Sequence, residues 1–439
     1  MTTQITTDAE LKEEVFKLQN KLDKSNIRLR DLATMGTLIT SIRDLETILS
    51  VVMEMSIRMV DAEVGLILLE DKGKLVSKLA WGIDEAIASS FIYLDNQSIT
   101  EYCFCKQVPI LLKQGKNTFN FGPTVSSIMA MPIKSRSKCY GVVLVINKNS
   151  GEHLNEDDQE NLELLVNFAS VAIDNAILLK ELLLKQKYEQ ELTIAKQIQQ
   201  AILPSDTVSI DGLDLGTFYR PARYVSGDFY DLFKIDNKNI VIVVGDVSNK
   251  GVPAAIVMSA TTAIIRSKLI RIPDIPPSQL MFDLNNVLCN GVIKDNDMFA
   301  TLFIARIDIE NMRINYCNAG HNPPFFWSEH EQKIEELPSC GPFVGQFAKV
   351  PYSEGEHSLQ SGDRLLAFTD GVTEAENIGA EQFGNERLKQ AFVKLAKLPA
   401  TEFCKQVVQW LDRFTEGASE EPFDDITLLE IIVSGRKHE

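Results

Sequence analysis

The sequence predicts a multidomain α+β protein, and three observations carry that expectation. At 439 residues the chain is longer than one hydrophobic core usually organises. Long helical patterns over 8–35 and from 156 to Pro204 bracket a region in which strand and helix signals mix. Beyond Pro204, strand-like runs come in pairs separated by pairs of helical runs, the pattern of a layered α/β sandwich.

Taken in order, residues 8–35 place Leu11, Leu18, Ser25 and Leu32 seven apart, with Val15, Leu22 and Leu29 in the second seam. About three such heptads read as a dimerising coiled coil; a single amphipathic helix packed on its own domain is the plainer alternative. Residues 36–180 read as one α+β domain. It holds an amphipathic helix at 45–60, strands at 64–70 and 75–80 around Asp71-Lys72-Gly73, and a strand pair at 127–133 and 140–147. A long helix opens on the acidic turn Glu156-Asp157-Asp158. It continues through 181–204, where Tyr188, Leu192, Ala195, Gln199 and Ile202 make a narrow seam, and Pro204 stops it. Such a helix is either a stiff connector able to pass a twist or a mere spacer. Residues 205–436 form the second domain, with strands at 213–220, 229–235, 240–244, 299–308, 313–318, 364–368 and 426–433. Helices are predicted at 254–270, 277–292, 385–395 and 401–416.

Composition narrows the function. Apolar residues make up 45% and charged ones 24%, as in soluble globular chains. The formal net charge of -17 argues against nucleic acid and against anionic membranes as partners. No uninterrupted run of about 18 apolar residues occurs, so no membrane span is expected, and the polar, acidic N-terminus does not read as a signal peptide. The seven cysteines are scattered, as expected of free thiols in a cytoplasmic protein. Cys103-Phe104-Cys105 lacks the further ligands a metal site needs.

The segment IVIVVGDVSNKGVPAA, residues 240–255, runs strand, glycine loop, helix. Phosphate cradles are often built this way, yet both glycine templates fail here. Val247 and Lys250 stand where a dinucleotide fingerprint needs glycine, and Lys250 again where a P-loop does. That removes the support for a nucleotide-binding kinase or ATPase. Acidic residues instead recur beside glycine or at strand ends: Gly227-Asp228, Gly245-Asp246, Asp370-Gly371 and Asp424-Asp425. Any one of them is ordinary turn chemistry. Together, on one edge of a sandwich, they would repel unless cations neutralised them, and an all-oxygen set suits Mg²⁺ or Mn²⁺.

Eight motifs in order, AKQIQQAILP, PARYVSGDFYDLF, GDVSNKGVPAAIVMS, MFATLFIARID, NAGHNPP, FTDGVTEAEN, FGNERL and FDDITLL, resemble the PPM family of metal-dependent protein serine/threonine phosphatases, in its bacterial SpoIIE-like branch. The resemblance spans about 190–436 and implies an α-β-β-α sandwich with two Mn²⁺ or Mg²⁺ ions activating a bridging hydroxide for in-line hydrolysis of phosphoserine or phosphothreonine. It implies Asp246 as the bridging ligand, the carbonyl of Val247 and Asp228 at one metal, Asp370 and Asp424 at the other, and Asp425 orienting that shell. His321, in Asn318-Ala319-Gly320-His321, is either a general acid or a brace for a tight turn. Asn249 stands where the branch usually has glycine, and Ser226 likewise. No arginine clearly matches the phosphate-binding one of eukaryotic relatives; Arg220 and Arg223 are the nearby candidates.

Residues 36–180 resemble a GAF sensor domain through DLETILSVVMEMSIRMVDAEVGLILLED, MPIKSRSKCYGVVLVINKNSGEHLNEDD and VAIDNAILL. Asn147-Lys148 with Glu156-Asp157-Asp158 is similar to the cyclic-nucleotide-binding kind, or is only strand-end and helix-start chemistry. The two resemblances imply a cytoplasmic, signal-controlled phosphatase. It would dimerise through its N-terminal and linker helices, bind an unknown small molecule or protein at the GAF domain, and act on a phosphorylated protein such as an anti-sigma-factor antagonist. The rival is a non-catalytic sensor scaffold that keeps the phosphatase fold for partner binding; it predicts lost metal ligands, and the aspartates are present.

Overall fold

The computed structural model describes residues 36–84, 98–113, 125–135, 138–204, 209–293, 297–418 and 424–434, with positions 15, 16, 19 and 34 besides. The predicted coil at 8–35 otherwise lies outside the described residues. The chain divides into two compact units, Met1–Lys187 and Tyr188–Glu439.

In the first unit, helix α1 (Leu45–Val60) starts at Asp44, whose carboxylate accepts the Thr47 N–H at 2.9 Å. It ends at Asp61 in the left-handed region (φ 53°). The sheet is β1 (Ala62–Asp71), β2 (Lys74–Trp81), β3 (Ile110–Lys113), β4 (Ser127–Lys134) and β5 (Cys139–Lys148), antiparallel in the order β2-β1-β5-β4-β3. Alternation divides its faces. Ile67, Met131, Val143 and Val145 pack with α1 and the long helix α3 (Glu156–Ile202), while Leu66, Leu68, Val142 and Leu144 pack with α2 (Ile99–Lys106). Helix α3 has 47 residues, about 70 Å at 1.5 Å each, and runs from the first unit into the second. Its start is a reciprocal cap: Asn155 N–H donates to the Asp158 carboxylate (2.9 Å), and Asp158 N–H to the Asn155 side-chain oxygen (3.1 Å).

The second unit stacks two five-stranded antiparallel sheets between helix pairs, the four-layer order the sequence implies. One sheet is β13-β10-β9-β8-β7: Gly355–Ser358, Arg313–Ala319, Ala300–Asp308, Asn239–Val247 and Phe229–Lys234. The other is β12-β11-β14-β15-β6: Lys333–Glu336, Phe325–Ser328, Arg364–Phe368, Ile426–Val433 and Leu213–Arg220. Between them lies a core of Ile240, Ile242, Val244, Phe303, Ala305, Leu365, Leu429 and Ile431. The first sheet's outer face packs on α4 (Val252–Arg271) and α5 (Pro277–Val287). The second sheet's outer face packs on α7 (Gly384–Lys394) and α8 (Ala400–Phe414), and α6 (Asp370–Thr373) is a single turn after β14. The helix predicted at 277–292 is α5 followed by a π-turn, Leu288–Val292.

By length and composition alone, stretches of α3 and α4 are apolar enough to cross a membrane, which a search for uninterrupted apolar runs overlooks. Each spends part of that surface on a core, 44% of the stretch being buried in both: α3 buries Leu162, Val166 and Ile173, and α4 buries Val257, Met258 and Ile265.

Candidate functional site

Strand alternation decides where Asp246 points. Along β8, Val241, Val243 and Val247 face the helices, while Ile240, Ile242 and Val244 face the other sheet. Asp246 continues the second series, so it lies at the rim of the inter-sheet layer. Asp228 directly precedes β7, Asp370 opens α6 after β14, and Asp424-Asp425 precede β15. The two sheets thus bring all five predicted acids to one edge.

The acids are held differently. Asp228 is fully buried, and its Oδ2 accepts from the hydroxyls of Thr369 (2.6 Å) and Thr427 (2.9 Å). Asp425 ties down the preceding loop, accepting the N–H of Ala222 (2.7 Å) and of Gly227 (3.1 Å). Asp424 accepts the Asp425 N–H at 2.9 Å and pairs with Lys250 Nζ at 2.9 Å. Among the described residues, no ion pair gives Asp246 or Asp370 a cation of its own. Burial, and then the charge of Asp370, pushes Asp246 up to about 7. Burial, and then Asp424, pushes Asp370 up to about 6, with Lys250 opposing. Asp228 is raised too, by burial first and by Asp246 next.

The backbone closes tightly here. A Cβ on Gly227 would stand 2.7 Å from the Val247 carbonyl oxygen and 3.5 Å from Asp246 Oδ1, so glycine lets this loop reach β8's end. Asn249 is left-handed (φ 71°), the conformation expected of it as a stand-in for glycine. Ser248 secures the loop to Phe299, its hydroxyl accepting and its N–H donating at 2.9 Å each.

Among the described residues, no three His, Cys, Asp or Glu side chains close on one point as a finished ligand set. Threonines hold Asp228, loop amides hold Asp425, and Lys250 holds Asp424. The donor chemistry nonetheless fits a hard divalent cation. Every donor is oxygen, the negative charge is in surplus, and Lys250 already occupies a cation's place at the rim. In this arrangement Asp246, Asp370, Asp424 and the Val247 carbonyl are the candidate ligands, and Asp228 and Asp425 frame them.

His321 lies close to the acids but is held apart from them. It is buried, its Nδ1 lies 2.9 Å from Thr301 Oγ1, and its backbone is clamped by Asn318 on both sides (N–H to Oδ1, 2.8 Å; carbonyl from Nδ2, 3.1 Å). Burial pulls it down to about 4, so the imidazole is neutral at neutral pH, which favours the brace over the general acid. These contacts are those of a brace for the turn; Thr301, its partner, lies opposite Asp246 across β8 and β9. Arg220 pairs with Asp412 at 2.7 Å, and among the described residues no contact places Arg223 at the acids. Lys250 is the residue the sequence reading passed over; it figured only as a misfit to the glycine templates, though it sits four positions from Asp246. Gln199, read in the sequence only as a seam position of the linker helix, also reaches this edge. From the end of α3 its amide donates to the Ser226 carbonyl (2.7 Å) and accepts the Ser226 N–H (3.1 Å), beside Gly227-Asp228.

Residues 236–434 match the family described as Stage II sporulation protein E (SpoIIE), and residues 42–174 match the GAF domain. The phosphoserine phosphatase RsbU of Bacillus subtilis is 34% identical over 193 residues, 44% of this chain and 56% of that protein. Protein IcfG of Synechocystis is 33% identical over 267 residues, 55% of this chain and 41% of that protein. The chain therefore spans about half the length of the curated relatives it matches. Among solved structures, the SiaA-PP2C domain of Pseudomonas aeruginosa covers 56% of this chain and 98% of its own, with TM-score 0.50 at 20% identity, a likeness of fold.

Proposed function

We propose that this chain, which carries a SpoIIE-type phosphatase domain behind an N-terminal GAF domain, hydrolyses phosphoserine or phosphothreonine on a partner protein. One observation carries the reading: Asp246, Asp370 and Asp424 converge at the rim between the sheets with more negative charge than the protein answers. Two Mn²⁺ or Mg²⁺ ions, when bound, would neutralise that charge and polarise the phosphoryl oxygens. The chain's own part is to hold and aim. Asp246, the Val247 carbonyl, Asp370 and Asp424 supply donors. Thr369 and Thr427 fix Asp228, and Asp425 fixes the loop 222–227. The test is Mn²⁺-dependent hydrolysis of para-nitrophenyl phosphate and of phosphorylated candidate proteins. Asp246→Asn and Asp370→Asn variants as active as the wild type would remove the site.

The relatives named phosphoserine phosphatases support phosphoserine as the group removed; the anti-sigma-factor antagonist as substrate and the cytoplasmic setting rest on the motif resemblance. Regulation would pass along α3. Its exposed Leu164, Val171 and Leu178 are spaced by seven, a seam suited to pairing with a second copy. Its far end is fastened to the catalytic unit by Gln199 and by Arg266, which donates to the Ile202 carbonyl at 2.6 Å. A GAF-domain ligand, small molecule or protein, would bias that helix. Removing residues 1–180 is expected to change activity or its control, and equal rates with equal dimer content would count against the coupling.

A further inference from the structure

Three phenyl rings run from the loop after β8 to the surface. Phe299 directly precedes β9, and Ser248 fixes its backbone through a donated and an accepted hydrogen bond. The Phe299 and Phe343 rings lie 4.4 Å apart, and the Phe343 and Phe347 rings 6.2 Å. The row turns away from the core. Met298, Ala300 and Val344 pack in the cluster under α4 and α5, whereas Phe299, Phe343 and Phe347 join no hydrophobic cluster among the described residues. Phe347 is 54% exposed, yet its backbone is fastened. Buried Asn285 on α5 donates to the Phe347 carbonyl (2.7 Å) and accepts the Gly345 N–H (2.8 Å), and Asn286 accepts the Lys349 N–H (2.8 Å). Val344 and Ala300 exchange N–H to carbonyl bonds at 2.9 Å each. A single surface phenyl needs no explanation, but a stacked row on a pinned backbone does.

The row adjoins the acids from two sides. Ser248 follows Val247, whose carbonyl is a candidate metal ligand, and Phe299 stands two residues before Thr301, the residue opposite Asp246. A Cβ on Gly320, next to His321, would lie 3.1 Å from the Phe343 nitrogen, so Phe343 borders the turn that His321 braces. From this geometry we infer that Phe299, Phe343 and Phe347 form a specificity-determining shelf, which takes a large apolar side chain a few residues from the phosphorylated serine or threonine of a protein substrate. The inference rests on the phosphatase reading and adds to it the kind of segment the site accepts.

Charge decides what the shelf is for. The chain carries a formal net charge of -17, and Asp246, Asp370 and Asp424 crowd the rim. Cations answer the phosphoryl group there, while acidic residues flanking it meet repulsion. Contact away from the phosphoryl group therefore falls to apolar surface. Rings already packed on one another, on a backbone already hydrogen-bonded, lose little freedom when a side chain settles on them. Buried contact with aromatic rings of this kind is what anchors carry in protein recognition. A phosphorylated residue with a large apolar neighbour in its own chain meets both halves of the site at once.

The test uses the full chain with Mn²⁺ and synthetic phosphoserine peptides. One peptide has alanine at every flanking position; the others carry a single phenylalanine, placed in turn at each position from three before to three after the phosphoserine. In the wild type, phenylalanine at one position or at two neighbouring ones should raise kcat/KM about tenfold over the all-alanine peptide, through KM. In Phe347→Ala, folded by circular dichroism, that ratio should fall to about one; in Phe347→Tyr it should persist. Three results overturn the shelf and leave the phosphatase reading standing: a ratio near one at every position in the wild type, a ratio undiminished in Phe347→Ala, or turnover of para-nitrophenyl phosphate with no peptide cleaved. A wild-type chain that hydrolyses neither the peptides nor para-nitrophenyl phosphate removes the phosphatase reading, and the shelf with it.

Discussion

Two regions place a buried aspartate close to a strand end, and they differ in what answers the charge. At the start of α3, Asp158 meets Lys148 Nζ at 2.8 Å, with both side chains nearly buried, and accepts the Asn155 N–H as well. One negative charge finds one positive charge and a cap. At the rim of the sandwich, Asp246, Asp370 and Asp424 face one another with Lys250 as the cation in contact. The first arrangement is complete, so it is framework. The second is complete only with added cations, so it is where chemistry is expected. In the stretch similar to the cyclic-nucleotide-binding kind, the Asn147 side-chain oxygen accepts the N–H groups of Ser126 and Ser127, and Lys148 pairs with Asp158, the contacts expected of strand-end and helix-start chemistry.

The contrast is broken most sharply at Asp246. Asp246→Asn keeps the shape and removes the charge, and Mn²⁺-dependent turnover should fall at least about 100-fold, or about 2.7 kcal/mol. Wild-type rates would mean that the surplus charge is not the catalytic feature. The same charge predicts a pH effect of definite sign. Asp246 and Asp370 hold their protons more tightly folded (about 7 and about 6) than at the ordinary value of 3.8. Their contribution to stability is full below that value and is lost as pH rises through about 7. With chelator present, Tm should therefore decline over that window, and Mn²⁺ should flatten the decline. A chelated chain with a flat profile would show that the acids are already compensated.

At the complete site the effect moves to stability. Lys148→Ala strands the Asp158 carboxylate and should lower unfolding free energy by about 2 kcal/mol, read by denaturant titration, with hydrolysis of para-nitrophenyl phosphate unchanged. A change in catalysis without a change in stability would exchange the roles of the two regions. Lys250→Ala should do less. A partly exposed pair is worth up to about 1 kcal/mol, so Mn²⁺ should bind up to about fivefold more tightly by calorimetry once its competitor for Asp424 is gone.

Much of this was legible in the sequence because it is written locally. Helix 45–60 and strands 213–220, 364–368 and 426–433 carry enough periodic residues to mark their own ends, and the structure has them at those bounds. The short strands β3, β11, β12 and β13 have four residues each, too few for alternation to register; β3 and β13 form on the edges that β4 and β10 offer, and β11 and β12 pair with each other beside β14. The site divides the same way. Aspartates beside glycine at strand ends can be read in one dimension. Thr369 and Thr427 on Asp228, or Gln199 on Ser226, cannot, since their partners stand 27 to 199 residues away and nothing local marks them.

Asn249 sets the lower bound of the comparison, because it stands in the same loop as Lys250 and yet contributes shape alone. Its left-handed backbone (φ 71°) precedes another left-handed residue, Gly251 (φ 81°), and between them the chain turns from β8 into α4. Glycine adopts that conformation freely and asparagine nearly so, whereas a β-branched residue pays about 1–2 kcal/mol. Asn249→Gly should accordingly leave Mn²⁺-dependent activity unchanged and move stability by less than about 1 kcal/mol, while Asn249→Val should weaken both. If Asn249→Gly abolished activity with Tm intact, the asparagine amide would have to touch the reacting groups, and the loop would belong to the chemistry and not only to the frame that aims Asp246.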